Sequence, residues 1–342
     1  MTCANSRDSK PAVVWFQTCG AASLLSTKYT TYIINAVSLA NNLLSINTMA
    51  LAKAPLPLIV LLPIAMVSSQ PFSNCDLTSY YSPLTTTPQQ TSRNDMHNLV
   101  QDTHRNVLSY DLVWNGLIDV DGTDATDQFV HLIYGDRDVP STPYDSGMCD
   151  AWNREHIWPR SRGVSTSGPD NTDLHHIRPA DCNVNSARGN RHFGQCGTVD
   201  VMSSCDTPAH IEAASDTQKD TTIFLPPAAK RGDVARSILY MDLRYDGNEA
   251  STENLVVSDC PESVVNGAGI GYLSQLLQWH LDDPPDDEER TRNGEICASW
   301  QGNRNPFVDY PELATTYFGA PKPLPQNGEG YTCSGPTTVR FA

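Results

Sequence analysis

Between Asn153 and Gly163 the chain reads NREHIWPRSRG, then TDLHHIRPADCNVNSARGN from Thr172 to Asn190 and HFG from His192 to Gly194. Four of the nine histidines fall between His156 and His192. From Arg154 to Arg191 there are six arginines (154, 160, 162, 178, 188 and 191), no lysine and four acids, Glu155, Asp170, Asp173 and Asp181. The window is therefore locally basic within a chain of 342 residues whose 23 Lys+Arg face 39 Asp+Glu, a formal net charge of −16. Guanidinium forks match phosphate oxygens two at a time, so an arginine excess against a repelling background suits a phosphate site. Charge alone equally permits these arginines to pair with nearby carboxylates on a solvated face.

Glu155 stands beside His156, and Asp173, His175, His176, Asn183, Asn185 and Asn190 follow. A carboxylate with an amide oxygen is a hard-oxygen pair suited to Mg²⁺ or Ca²⁺, with positions left for water and a phosphate. A neutral imidazole near pH 7 is the natural base for an attacking water. Metal, base and arginine together describe phosphodiester hydrolysis. Spacing alone also admits zinc held by His175, His176 and a cysteine. Adjacent residues of a regular strand point to opposite faces, so Glu155 and His156 reach one phosphate only if a bulge or the strand's end re-aims one of them.

Working outward, Met96, Leu99, Val100, Val107 and Leu108 predict an amphipathic helix over about 93–109, and FVHLIY (129–134) predicts a short strand ending at Gly135-Asp136. Val234, Ile238, Met241 and Tyr245 fall at helical spacing, as do Ile270, Leu273, Leu277 and Leu281. DDPPDDEER (282–290) predicts a solvated helix start near Pro285, with acids at the positive end of the dipole and an acidic calcium site as the lesser alternative. Trp279-His280 is expected in the core, and the polar run QGNRNPF (301–307) is expected to brace the active-site loop. Helices on both sides of a small strand-and-loop core indicate one α+β domain.

LPLIVLLPIAMV (56–67) is too short and too broken by proline to span a bilayer. It follows Met49 and Lys53 and ends at Val67-Ser68-Ser69, the pattern of a secretory signal cleaved near Ser69. The expected organisation is an N-terminal extension at 1–48, a signal peptide at 49–69, a catalytic domain at 70–315 and a Pro/Gly-rich tail at 316–342 tethered through Cys333. Of the ten cysteines, the eight after residue 69 are even in number and contain no C-x-x-C, so a disulfide framework in an oxidising compartment is the default. Their pairing is not readable from spacing.

The quoted segments together resemble the secreted endonuclease I family of the His-Me finger (ββα-metal) nucleases. SYDLVW (109–114), LIYG (132–135), RGDVARSILYMDLRY (231–245), LLQWHLDDP (276–284) and QGNRNPFVDYPEL (301–313) extend the resemblance over roughly 95–315. It implies a ββα-metal core within a mixed helical domain. It also implies His156 as general base, with Glu155 and Asn185 as ligands of one Mg²⁺-type ion (Mg²⁺, Ca²⁺ or Mn²⁺) that steadies the departing 3′ oxygen and leaves a 5′-phosphate. An arginine would hold the cleaved phosphate. Arg188 and Arg178 rank first because they lie inside matched motifs, and Arg160 and Arg162 also qualify. Asp173 and His175 match positions expected to orient the metal ligands.

These features predict a secreted, monomeric endonuclease acting on DNA, and on RNA, with little sequence preference and no membrane contact in its mature form. A strongly acidic chain is unsuited to coating nucleic acid along its whole surface. Nothing in it resembles a reader of base edges, so phosphate and sugar contacts should dominate. The two rivals are a secreted phosphodiesterase or phosphatase on small phosphoesters, and a non-enzymatic secreted scaffold stabilised by zinc.

Overall fold

The computed structural model describes residues 72–333 apart from 125, 146, 199–203 and 326–329. The N-terminal extension and the expected signal segment lie outside the described residues. After a short helix α1 (Leu77–Tyr81), helix α2 (Arg93–Thr103) begins where the Ser92 hydroxyl accepts the Asp95 amide. It stops six residues short of the expected end. Beyond His104 the amides of Arg105 and Asn106 turn to the Gln301 carbonyl, and Val107 is left exposed. Helix α3 (Leu112–Val120) precedes the antiparallel pair β1 (Phe129–Leu132) and β2 (Arg137–Pro140).

Strand β3 (Trp152–His156) pairs antiparallel with β4 (Ile177–Asp181), in an unbroken register from Trp152↔Asp181 to His156↔Ile177. Helix α4 (Cys182–Arg188) starts directly from β4, because the Asp181 carboxylate accepts the amides of Asn183 and Val184. Strands β5 (His192–Phe193), β6 (Gln218–Lys219) and β7 (Ile223–Leu225) form a small sheet in the order β5-β7-β6. Helix α5 (Arg231–Arg244) is buried from Gly232 onward. A two-stranded parallel pair, β8 (Val256–Val257) and β9 (Gly269–Ile270), leads to α6 (Leu273–Asp282) and α7 (Asp287–Glu295). A π-helical turn (Ile296–Gln301) and helices α8 (Pro306–Asp309) and α9 (Leu313–Phe318) follow. The architecture is α+β, and no helix among the described residues is long and apolar enough to cross a membrane.

Two apolar clusters flank the β3–β4 ribbon. The larger gathers Ile238, Leu239, Leu276 and Leu277 with Ile157, Trp158 and Ala180. The smaller holds Val113, Trp114 and Leu117 of α3 with Trp152, Leu174 and Ile177. The ribbon is thus fixed on both sides before any polar group is considered.

Three expectations are amended. Ile270 belongs to β9 and not to α6, where it bonds within the parallel pair. Leu281 ends exposed. The start of α7 is only partly solvated: Asp286 caps it by accepting the Glu289 amide, but Glu289 itself is buried against Arg236, whose Nε lies 2.8 and 2.7 Å from its two carboxylate oxygens. Burial pushes the Glu289 carboxyl up to about 7, as does neighbouring Asp233, while Arg236 pulls the other way.

All eight described cysteines are paired, as Cys75–Cys297, Cys149–Cys182, Cys196–Cys205 and Cys260–Cys333. The last ties the tail to the segment ahead of β9. The alternative zinc site of His175, His176 and a cysteine is overturned, since none of these sulfurs is free to ligate as a thiolate.

His280 on α6 is buried and donates Nε2–H to the Pro311 carbonyl at 2.8 Å. Burial pushes its imidazole down to about 4. The folded chain therefore prefers the neutral ring. That contribution is complete above the ordinary value near 6.5 and is lost as pH falls through about 4. Thermal midpoints measured from pH 7.5 to 4.5 should fall for the parent chain. For His280→Gln they should fall less steeply, the two unfolding free energies converging by about 1.4 kcal/mol per pH unit at most. Parallel curves would refute the assignment.

Candidate active site

His156 is the last residue of β3. Its Nε2 lies 3.0 Å from the Asn171 carbonyl, which only accepts, so Nε2 carries the proton and Nδ1 keeps the lone pair. Burial pushes this imidazole well below its ordinary value, and His176 and Arg160 push it further, so the ring is neutral. His176 packs edge-on against it at 5.4 Å and donates its own Nε2–H to the Asp170 carbonyl at 2.7 Å. Both carbonyls come from one 3₁₀ turn, Pro169–Thr172. The segment before it ends at Gly163, whose φ of +102° and whose tight approach to Ala268 leave no space for a Cβ.

Asp173 fixes that turn. Its Oδ1 accepts the His175 amide and the Gln301 side-chain amide, each at 2.9 Å. Its Oδ2 accepts the hydroxyls of Tyr240 at 2.7 Å and Tyr245 at 2.8 Å. Burial alone would raise this carboxyl, but His104 and His175 hold it below the usual carboxylate range. His175 is buried and donates Nε2–H to the Asn303 carbonyl at 3.1 Å. The QGNRNPF segment therefore braces the loop through Gln301 and Asn303.

The register runs without a bulge up to His156, so the turn that brings Glu155 and His156 toward one phosphate falls to the strand's end, where His156 is the last residue of β3. Glu155 Oε1 accepts from Tyr134 at 2.8 Å and faces Arg188 Nη1 at 3.1 Å. Burial pushes its carboxyl up to about 7, against the pull of Arg188. Arg188 also donates to the carbonyls of His156 at 3.0 Å and Ile157 at 2.6 Å, so one buried guanidinium links the ligand candidate to the backbone of the base candidate. Asn185, one helical turn earlier on α4, donates Nδ2–H to Asn153 Oδ1 at 2.8 Å. Asn153 and Glu155 are two apart on the strand, so Asn185 and Arg188 address one face of β3. No hydrogen bond reaches Asn185 Oδ1 among the described residues, and this side chain is only half-buried.

The four arginine candidates separate. Arg178 is buried and committed to Asp121 at 2.9 Å and Asp233 at 3.5 Å. Arg188 is held as described. Arg162 donates to the Asn190 carbonyl at 2.7 Å and lies 3.4 Å from Glu262. Arg160 is exposed, with Nε on Asn171 Oδ1 at 2.9 Å and its guanidinium carbon 4.4 Å from the Tyr110 ring centroid. Tyr110, Tyr134 and Asn153 were not singled out in the sequence. Only their place in quoted segments of the resemblance, SYDLVW, LIYG and NREHIWPRSRG, marked them.

A family model described as Endonuclease I matches residues 80–312. The chain is 35% identical over 247 residues to an extracellular ribonuclease of Bacillus subtilis (strain 168), covering 71% of this chain and 79% of that protein. It is 34% identical over 244 residues to an extracellular ribonuclease of Bacillus amyloliquefaciens, covering 70% and 78%.

Proposed function

Because the chain belongs to the endonuclease I family and is thereby a phosphodiester hydrolase, we propose that it is a secreted endonuclease that cleaves RNA and DNA with little sequence preference. The observation that carries the assignment of chemistry is the pinned tautomer of His156: with Nε2–H given to Asn171, the lone pair of Nδ1 is left to take a proton from water. That water attacks phosphorus, the bond from phosphorus to the 3′ oxygen breaks, and the products are a 5′-phosphate and a 3′-hydroxyl. Secretion is supported by four disulfides and by the two extracellular relatives. The scaffold rival falls with the zinc site and with family membership.

The donor set fits a hard divalent ion. Glu155 supplies a carboxylate, and Asn185 an amide oxygen that takes no hydrogen bond among the described residues, while its Nδ2 bonds Asn153 on the Glu155 face of β3. One Mg²⁺-type ion held there would stabilise charge on the phosphate and on the departing oxygen. Arg188 keeps Glu155 and the end of β3 in place, and Arg160, exposed beside Tyr110, is the arginine best placed to meet a phosphate from solvent.

Plasmid and RNA digestion by the purified protein tests the proposal. EDTA should abolish cleavage of both and Mg²⁺ should restore it. Asn185→Ala should shift the Mg²⁺ titration at least about tenfold upward with an unchanged melting curve. Undiminished cleavage in chelator would refute the metal assignment, and failure to cut either polymer would refute the proposed activity.

A further inference from the structure

On the His156 side of β3, aromatic rings and guanidinium groups stack on one another in a continuous series. The Tyr144 ring lies flat on Trp114, with centroids 4.1 Å apart and planes 12° from parallel. The Arg154 guanidinium carbon is 4.1 Å from the Trp114 ring and 3.4 Å from the Tyr110 ring. Arg160 adds a second cation 4.4 Å from Tyr110, which itself stacks on His156 at 6.0 Å. Trp152, buried, meets the edges of Trp114 and Tyr144 at 5.0 and 6.1 Å and holds the far end of the series in place.

A series built only for stability would bury its last ring and neutralise its cations. Here Tyr144 is 40% exposed at the outer end. Nine other arginines, at 93, 137, 162, 178, 188, 236, 244, 292 and 304, pair with carboxylates. Arg154 and Arg160, like Arg105, Arg191, Arg231 and Arg290, make no ion pair among the described residues, and these two alone of the six lie against the rings of this series. Stacked rings with interleaved, unneutralised guanidinium groups are what a single nucleic-acid strand needs, since every base has a face to stack and every linkage a phosphate.

Resting on the nuclease reading above, we propose that the Tyr144–Trp114–Arg154–Tyr110–Arg160 series is a subsite for a single strand flanking the scissile phosphate, with a base stacked on the open face of Tyr144 and phosphates met by the two arginines. A base inside a duplex already has neighbours on both faces and offers none to Tyr144, so the subsite favours unpaired RNA or DNA. The loop carrying Tyr144 is fastened to the site helix, because Asp145 Oδ1 accepts the Cys149 amide at 2.7 Å and Cys149 is disulfide-bonded to Cys182 at the start of α4.

Fluorescence anisotropy on the full chain decides it without relying on turnover. In a His156→Ala background that prevents cleavage, Tyr144→Ala should weaken binding of a labelled single-stranded 12-mer about tenfold. Tyr144→Phe should restore it, and a hairpin duplex of the same composition should lose less than twofold. With His156 intact, Tyr144→Ala should raise KM for the single strand about tenfold more than for the hairpin duplex, whose bases offer Tyr144 no free face. Equal affinities of the tyrosine and alanine forms, or equal losses on strand and hairpin, overturn the subsite. A wild-type chain that hydrolyses no phosphodiester overturns the nuclease reading instead, and the binding comparison still judges the stack.

Discussion

Replacing His156 with alanine is expected to lower single-turnover cleavage of both DNA and RNA by about a thousandfold, within the range that positioned general bases supply. Binding of uncleaved substrate should stay within about twofold, because the phosphate contacts assigned to Arg160 and Arg154 do not pass through the imidazole. The size of the effect follows from how firmly the ring is held. Asn171 fixes the proton on Nε2, His176 closes one edge at 5.4 Å, and Tyr110 stacks on the ring at 6.0 Å. No other imidazole of the β3–β4 ribbon is placed to substitute. His176 has its Nδ1 buried without a partner, and His175 faces Asn303 and Tyr240 in the interior. Near-parental turnover in His156→Ala would remove the base from the mechanism.

Asp173→Ala is expected to cost about 3–5 kcal/mol of folding stability, read as a lowered urea midpoint. The carboxylate is fully buried and receives two tyrosine hydroxyls, one backbone amide and one side-chain amide. Alanine would leave all four donors facing a cavity, and each unpaired buried group costs on the order of 1–3 kcal/mol. Asp173→Asn keeps the shape and one acceptor oxygen, so it should lose less than half as much. Both variants should also lower kcat at a temperature where they remain folded, since Asp173 holds the turn whose Asn171 carbonyl orients His156. A midpoint within about 1 kcal/mol of the parent for Asp173→Ala would show that the surrounding donors find water, contrary to this account.

Helix α5 and the start of α7 were legible because apolar spacing and an acidic first turn are local signals. The excess length assigned to α2 was not correctable locally: Val107 and Leu108 continue the helical period, but the amides of Arg105 and Asn106 are claimed by Gln301, nearly two hundred residues away. Charge counting found the arginine window but did not distinguish its members. The motif match ranked Arg178 above Arg160, yet Arg178 meets Asp121 and Asp233 in the interior and Arg160 lies exposed on Tyr110.

The sequence by itself determined the chemistry on offer: which segment holds imidazole, carboxylate, amide and guanidinium together, and that the cysteines are even in number for an oxidising compartment. The tertiary structure decided which nitrogen of His156 keeps its lone pair, which arginines are already neutralised, and that Tyr144, Trp114 and Tyr110 stack into one series. Residue type fixes what a group can donate or accept. Whether it is still free to do so depends on partners brought from distant parts of the chain, and no local pattern encodes those.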